Sequence, residues 1–283
     1  MNFRIRHTAI ILVVMIVSSC TEIIDIQLDS SYTRLVVYGE ITTDSVLHEI
    51  ALTTSSDYFS NETAPTVSGA SVVVSFNDTS IVYLEKQGTS GIYVPPRAFR
   101  GKPGTEYILD IQNVDIDGDG IDESYSASTT MPSILAPDSL QLQRFVAHFF
   151  SGYQVLLYAP DPPGPNWYNF KLYHNDISLN ATLADYLIQP DEFVVNGYIY
   201  AFPVAFLDDE EEDEFLSPGD TVRLEINSVP EDYYAFVSEA QNEIFGNNPL
   251  FSGPPANVST NISNNGLGMF TAYSKEEVII IYK

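Results

Sequence analysis

Leu35-Val36-Val37-Tyr38-Gly39-Glu40-Ile41 reads as a β-strand. It is rich in β-branched and aromatic residues, which suit a pleated, half-buried surface. Thr42-Thr43-Asp44 ends it. The rhythm repeats downstream. His48-Glu49-Ile50-Ala51-Leu52-Thr53 alternates, 71–76 is followed by Asn77-Asp78, and 79–84 by Gln87-Gly88. Gly91-Ile92-Tyr93-Val94 ends at Pro95-Pro96, and 107–111 and 124–128 complete a set of seven short segments. Short strands at regular spacing with turn residues between them predict a β-sandwich. No helical period interrupts them before residue 130.

Met131-Pro132-Ser133 and Ala136-Pro137-Asp138 mark a boundary, because proline breaks pairing and favours extended linkers. Beyond it, 140–145, 153–158, 169–173, 196–201, 220–227 and 278–282 read as further strands. One helix is expected near 229–245. Ser228-Val229-Pro230-Glu231 has the spacing of a capping box, and Pro230 fits the first turn. Tyr233, Phe236, Val237, Ala240 and Ile244 then recur at helical spacing, as for a face packed on a sheet. Gly246 supplies the stop. The expected class is all-β, with a sandwich over 35–134 and a second β-rich domain carrying that helix over 135–283.

The chain has 283 residues, 45% of them hydrophobic, with 12 Lys+Arg against 38 Asp+Glu and a formal charge of −26. The apolar content is that of a globular chain. The charge excludes a phosphate-backbone binder, so nucleic acid is not an expected partner. A single cysteine excludes an intrachain disulfide and a thiolate zinc site.

That cysteine ends a distinctive segment. Arg4 and Arg6 precede an unbroken apolar run over 9–17, and Val17-Ser18-Ser19-Cys20 closes it. The run is about half the ~20 residues of a membrane span and matches a secretory signal. The ending resembles the lipobox of bacterial lipoproteins. The resemblance implies a signal peptide over 1–19 and lipidation of Cys20, with 20–34 as anchor and tether to the lipid bilayer. Removing 1–19 takes two arginines and no acid, leaving −28. Thr21 rather than Asp after Cys20 leans, by similarity to lipoprotein sorting, towards the outer membrane, with the periplasmic or surface face left open.

A wider resemblance rests on the helix and the segment after it. Pro230-Glu231-Asp232-Tyr233-Tyr234 leads to Phe245-Gly246-Asn247-Asn248-Pro249-Leu250-Phe251-Ser252-Gly253-Pro254-Pro255-Ala256-Asn257-Val258. Thr260-Asn261-Ile262 and Gly266-Leu267-Gly268-Met269-Phe270 come next. With the 35–41 strand and Val67-Ser68-Gly69-Ala70-Ser71-Val72, this resembles a family of Bacteroidetes outer-membrane lipoproteins of unknown function. The resemblance implies an immunoglobulin-like or transthyretin-like N-terminal sandwich and a second, mostly β domain. It also implies association with TonB-dependent outer-membrane receptors. It carries no catalytic residues.

Asp115-Ile116-Asp117-Gly118-Asp119-Gly120-Ile121-Asp122-Glu123 begins like an EF-hand calcium loop. Asp115, Asp117, Asp119, Ile121 and Glu123 are the candidate calcium ligands. Ser126 stands where the bidentate Glu belongs, and strands flank the loop, so a solvated hairpin tip fits the same residues. Asp208 to Glu214 is seven acids in a row, expected as an extended, hydrated loop or a docking point for a basic surface. Trp167 and Tyr168, and Phe251, Pro254 and Pro255, are candidate ligand or partner contacts, against core and structural-loop readings. His7, His48, His148 and His174 show no zinc spacing, and no nucleophile elbow, phosphate loop or dinucleotide fingerprint occurs. The expected function is therefore a lipid-anchored, non-enzymatic accessory or binding partner of a TonB-dependent receptor in nutrient uptake. The alternative is a glycan- or peptide-binding surface module acting through an aromatic cleft.

Overall fold

The computed structural model describes residues 33–56, 63–147, 150–246 and 258–283. Among the described residues the protein is all-β apart from one long helix and two single 3-10 turns. Residues Thr33–Lys283 form one compact unit.

The opening strand, β1 (Leu35–Thr42), is followed by β2 (Ile50–Thr54), β3 (Ser71–Phe76), β4 (Thr79–Glu85), β5 (Ile92–Val94), β6 (Glu106–Val114) and β7 (Glu123–Thr130). Along β1, Leu35, Val37 and Ile41 are buried while Tyr38 is exposed, the period-two pattern that its sequence predicts. The strands run in the order β1-β2-β5-β4-β3-β6-β7. They enclose a core of Leu35, Val37, Ile50 and Leu52 against Val72, Leu109, Ile111 and Tyr125.

The second half adds β8 (Ser139–Ala147), β9 (Phe150–Pro160), β10 (Trp167–His174), β11 (Ile177–Ser178), β12 (Leu187–Pro190), β13 (Tyr198–Asp208), β14 (Thr221–Val229), α1 (Glu231–Gly246) and β15 (Leu267–Ile281). Strands β13-β9-β8 make a separate three-stranded sheet. Its inner face, with Val155, Leu157 and Leu207, closes a second core with Phe170, Leu172, Leu224 and Ile226.

β15 belongs to both halves. Its first part pairs in parallel with β1, Val36 opposite Leu267 through Thr42 opposite Tyr273. Its second part pairs antiparallel with β14, Ser274 opposite Ser228 through Ile281 opposite Thr221. One mixed twelve-stranded sheet results. Phe270 and Ala272 enter the first core together with Ile262, although they lie far beyond residue 134. Backbones approach so closely here that a Cβ on Gly268, held at φ +90°, would sit 2.0 Å from the Val37 carbonyl oxygen. The expected strand 278–282 is thus only the end of a fifteen-residue strand.

The helix lies where expected, but its start differs. Ser228 is still in β14, buried, and its hydroxyl has no protein partner, so the capping box does not form. Sheet pairing with Tyr168 and Ser274 holds Ser228 extended beyond the point where a cap would leave the strand. Tyr233 and Val237 pack on Val229, Met269 and Tyr273, while Ile244 is exposed. The expected strand 196–201 also shifts. Asn196 and Gly197 both have positive φ and form the turn into β13, which continues to Asp208.

Candidate functional site

The aspartate loop is a hairpin tip between β6 and β7. The Asp115 carboxylate accepts from the amides of Gly118 at 2.8 Å and Gly120 at 3.0 Å. Asp117 accepts from Asp119, and Asp119 from Ile121 at 2.7 Å. Glu123 reaches back to the Ile116 amide at 3.0 Å. Each of Asp115, Asp117 and Asp119 thereby turns a carboxylate oxygen inward, all within 4.8 Å of one another and exposed. That convergence suits a hard cation, while the turn closes on its own hydrogen bonds. Ile121 faces solvent. Ser126 points elsewhere: its amide donates to the Ser263 hydroxyl at 2.7 Å, across to the segment leading into β15.

The aromatic pair separates. Neighbours on a strand face opposite ways, so Tyr168 is wholly buried in the second core with its hydroxyl on Asp161. Trp167 packs instead with the helix cluster. The two do not form one exposed aromatic platform. Cys20, Phe251, Pro254 and Pro255 lie outside the described residues.

The acidic run is not extended. Its first residue ends β13, and the rest folds into turns. The Asp208 amide donates to Glu214 at 2.8 Å, the Glu210 amide to Asp208 at 2.9 Å, and Arg144 pairs with Asp209 at 2.5 Å. Backbone amides and one guanidinium offset enough repulsion for the run to hold a defined path.

A groove that sequence reasoning missed lies on the outer face of β1 and β2. Tyr38, Glu40, Asp44, Val46, Leu47 and His48 line a cavity of about 370 Å³. Tyr38 and Glu40 are outward positions of β1, and Val46 and Leu47 are exposed on the loop to β2. Glu40 is held by two phenols: Tyr273 donates to it at 3.0 Å and Tyr38 donates to its other oxygen. Tyr38 keeps its ring exposed while its hydroxyl end is desolvated against Glu40, which raises its pKa, and burial with Glu40 raises that of Tyr273 well above the phenol range. His48 is buried and donates to the Phe99 carbonyl at 3.0 Å. Burial lowers its pKa, which favours the neutral ring.

Beside the groove, Lys275 bridges Asp44 at 3.0 Å and the buried Glu225 at 2.9 Å. Glu225 also accepts from the side chain of Asn227 at 3.0 Å. Burial alone would lower the Lys275 pKa. The hydrogen bonds and charges of Glu225 and Asp44 outweigh it and raise the pKa. Glu49, on the groove's other flank, pairs with Lys86 at 2.7 Å. The groove therefore offers an apolar wall and an aromatic hydroxyl beside carboxylates already engaged by phenols or ammonium groups.

These features define an all-β protein in which two sandwiches share a strand and present surface grooves and loops. No helix among the described residues is long and apolar enough to cross a membrane. The domain family of unknown function DUF4249 matches residues 21–278, and the chain belongs to that family. No curated protein matches it.

Proposed function

We propose that the protein is a lipid-anchored, non-enzymatic binding module of a bacterial outer membrane, acting as accessory to a TonB-dependent receptor. The observation that carries the reading is the sole cysteine at the end of the 9–17 apolar run. The family match supports it by beginning at residue 21, immediately after Cys20. Two or more acyl chains hold a soluble body to the bilayer far more firmly than one. The engagement of Glu40, Asp44 and Glu225 by phenols and Lys275 favours binding over acid–base chemistry. Mass spectrometry of the protein from membranes tests the anchor. The amino-terminal peptide should begin at Cys20 and carry diacylglyceryl and acyl masses. An unmodified Cys20 thiol contradicts the reading.

The β1–β2 groove favours a second reading, a glycan- or peptide-capture module. Tyr38 stands at its mouth beside Val46 and Leu47, an aromatic and apolar surface of the kind that stacks on sugars or peptide side chains. A glycan and peptide array with the Tyr38→Ala protein as control tests it. A ligand retained by the wild type and lost by the variant supports capture; a blank array contradicts it.

A further inference from the structure

At one end of the second sandwich, three segments meet: the facing ends of β8 and β9, the acidic turn after β13, and the hairpin of β10 and β11. Arg144 on β8 pairs with Asp209, whose amide donates to the Ser151 carbonyl of β9 at 2.9 Å. His174 at the end of β10 donates to the Asp213 carbonyl at 2.7 Å. The Asp220 carboxylate is held by Asn175, the Ser217 amide and His174, which lower its pKa to about 2. The backbone of the acidic turn is thus tied on both sides.

Large apolar side chains are exposed at the same end. Phe145, Phe150 and Phe206 pack on one another with centroids 5.7 to 6.1 Å apart. Phe206 remains 47% and Phe215 53% exposed, Val146 is exposed next to Phe145 on β8, and Ile177 is exposed on the β10–β11 hairpin. Exposed apolar groups gathered this way mark an interaction surface. Their setting says what kind. Glu210, Glu211, Glu212 and Asp213 are exposed, and among the described residues Arg144 is the only Lys or Arg paired with the run. A surface both apolar and strongly negative complements cationic and apolar side chains in alternation. β8 is an edge strand of its sheet, and its residues 143–147 are exposed, so an extended segment has a stretch of backbone edge to follow there.

We infer that this end docks an extended, basic and apolar segment of a partner protein, with the phenylalanine cluster as anchor and the acidic turn as guide. The inference stands apart from the lipid anchor, since it concerns the folded body alone.

The test uses the mature protein in mild detergent and short peptides followed by fluorescence anisotropy. A peptide alternating lysine with leucine should bind, and more weakly as salt rises. One alternating lysine with serine should bind at least about tenfold more weakly, as expected when apolar anchors supply the energy. Phe206→Ser, and the combined Glu210→Gln, Glu211→Gln and Glu212→Gln, should each weaken the lysine–leucine peptide about tenfold. Asp115→Asn with Asp117→Asn, which removes charge elsewhere, should leave binding unchanged. All these positions but Phe206 are exposed loop sites, and Phe206 is half exposed, so melting temperatures serve as a check on folding. No binding, equal binding of the serine peptide, or an equal loss from the Asp115 and Asp117 change would overturn the proposal.

Discussion

The Lys275 ammonium lies 2.9 Å from the Glu225 carboxylate, which is almost wholly buried in β14. A charge in that position is tolerable only while paired. Lys275→Met leaves Glu225 without its counter-ion and should cost about 3–5 kcal/mol in denaturant unfolding. Glu225→Gln combined with Lys275→Met should recover part of that loss, since the uncompensated charge is gone. The raised Lys275 pKa sets the sign of the pH dependence. Its contribution is full below the ordinary lysine range and fades as pH rises through the folded value.

Gly268 tests the shared strand. A Cβ there would collide with the Val37 carbonyl, and φ is positive. Gly268→Ala should therefore destabilise by at least about 2 kcal/mol. Because β15 serves both halves, the loss should appear in both. Trp167 fluorescence, which reports the second half, should shift its urea midpoint together with far-ultraviolet dichroism. A variant in which only one probe shifts would show independently folding halves.

The tyrosines around Glu40 predict an alkaline signature. Burial, with Glu40 adding to it, raises the pKa of Tyr38 and Tyr273, and burial raises that of Tyr233. In an absorbance titration the buried Tyr233 and Tyr273 should stay protonated until the protein unfolds, while the half-exposed Tyr38 should titrate above the ordinary phenol range. Folded values above the unfolded one mean that stability falls once pH passes the ordinary phenol range. Glu40→Gln should bring part of this titration back towards that range.

At the β6–β7 tip, Asp115 accepts two amide hydrogen bonds. Asp115→Ala should speed hydrogen exchange at Gly118 and Gly120 and cost about 1 kcal/mol, the scale of exposed hydrogen bonds. Asp117→Ala, which removes the bond to Asp119 alone, should leave the Gly118 and Gly120 amides protected.

How much of this was legible depended on distance along the chain. Local signals held: the alternation of Leu35, Val37 and Ile41, the turn residues between strands, and the helical spacing of Tyr233 and Val237. The hairpin at Asp115 to Glu123 was legible as well, because its hydrogen bonds close within eight residues. Pairing between remote segments required the fold. Nothing in Leu267 to Tyr273 announces parallel pairing with β1, since Gly266, Gly268 and Lys275 blur the strand pattern. The groove suffered the same way: Glu40 meets Tyr273 across 233 residues. Ser228 misled because a serine three residues before a glutamate signals a cap only where the backbone is free to leave its strand. The acidic run folds into turns rather than extending because Arg144, which arrives from another strand, offsets part of its charge repulsion.

The proposed partnership is with a receptor at the outer membrane. It is tested most directly by purifying the native protein from membranes in mild detergent and identifying what accompanies it. Repeated recovery of a β-barrel TonB-dependent receptor is the expected result. Repeated recovery of the protein without one would contradict it.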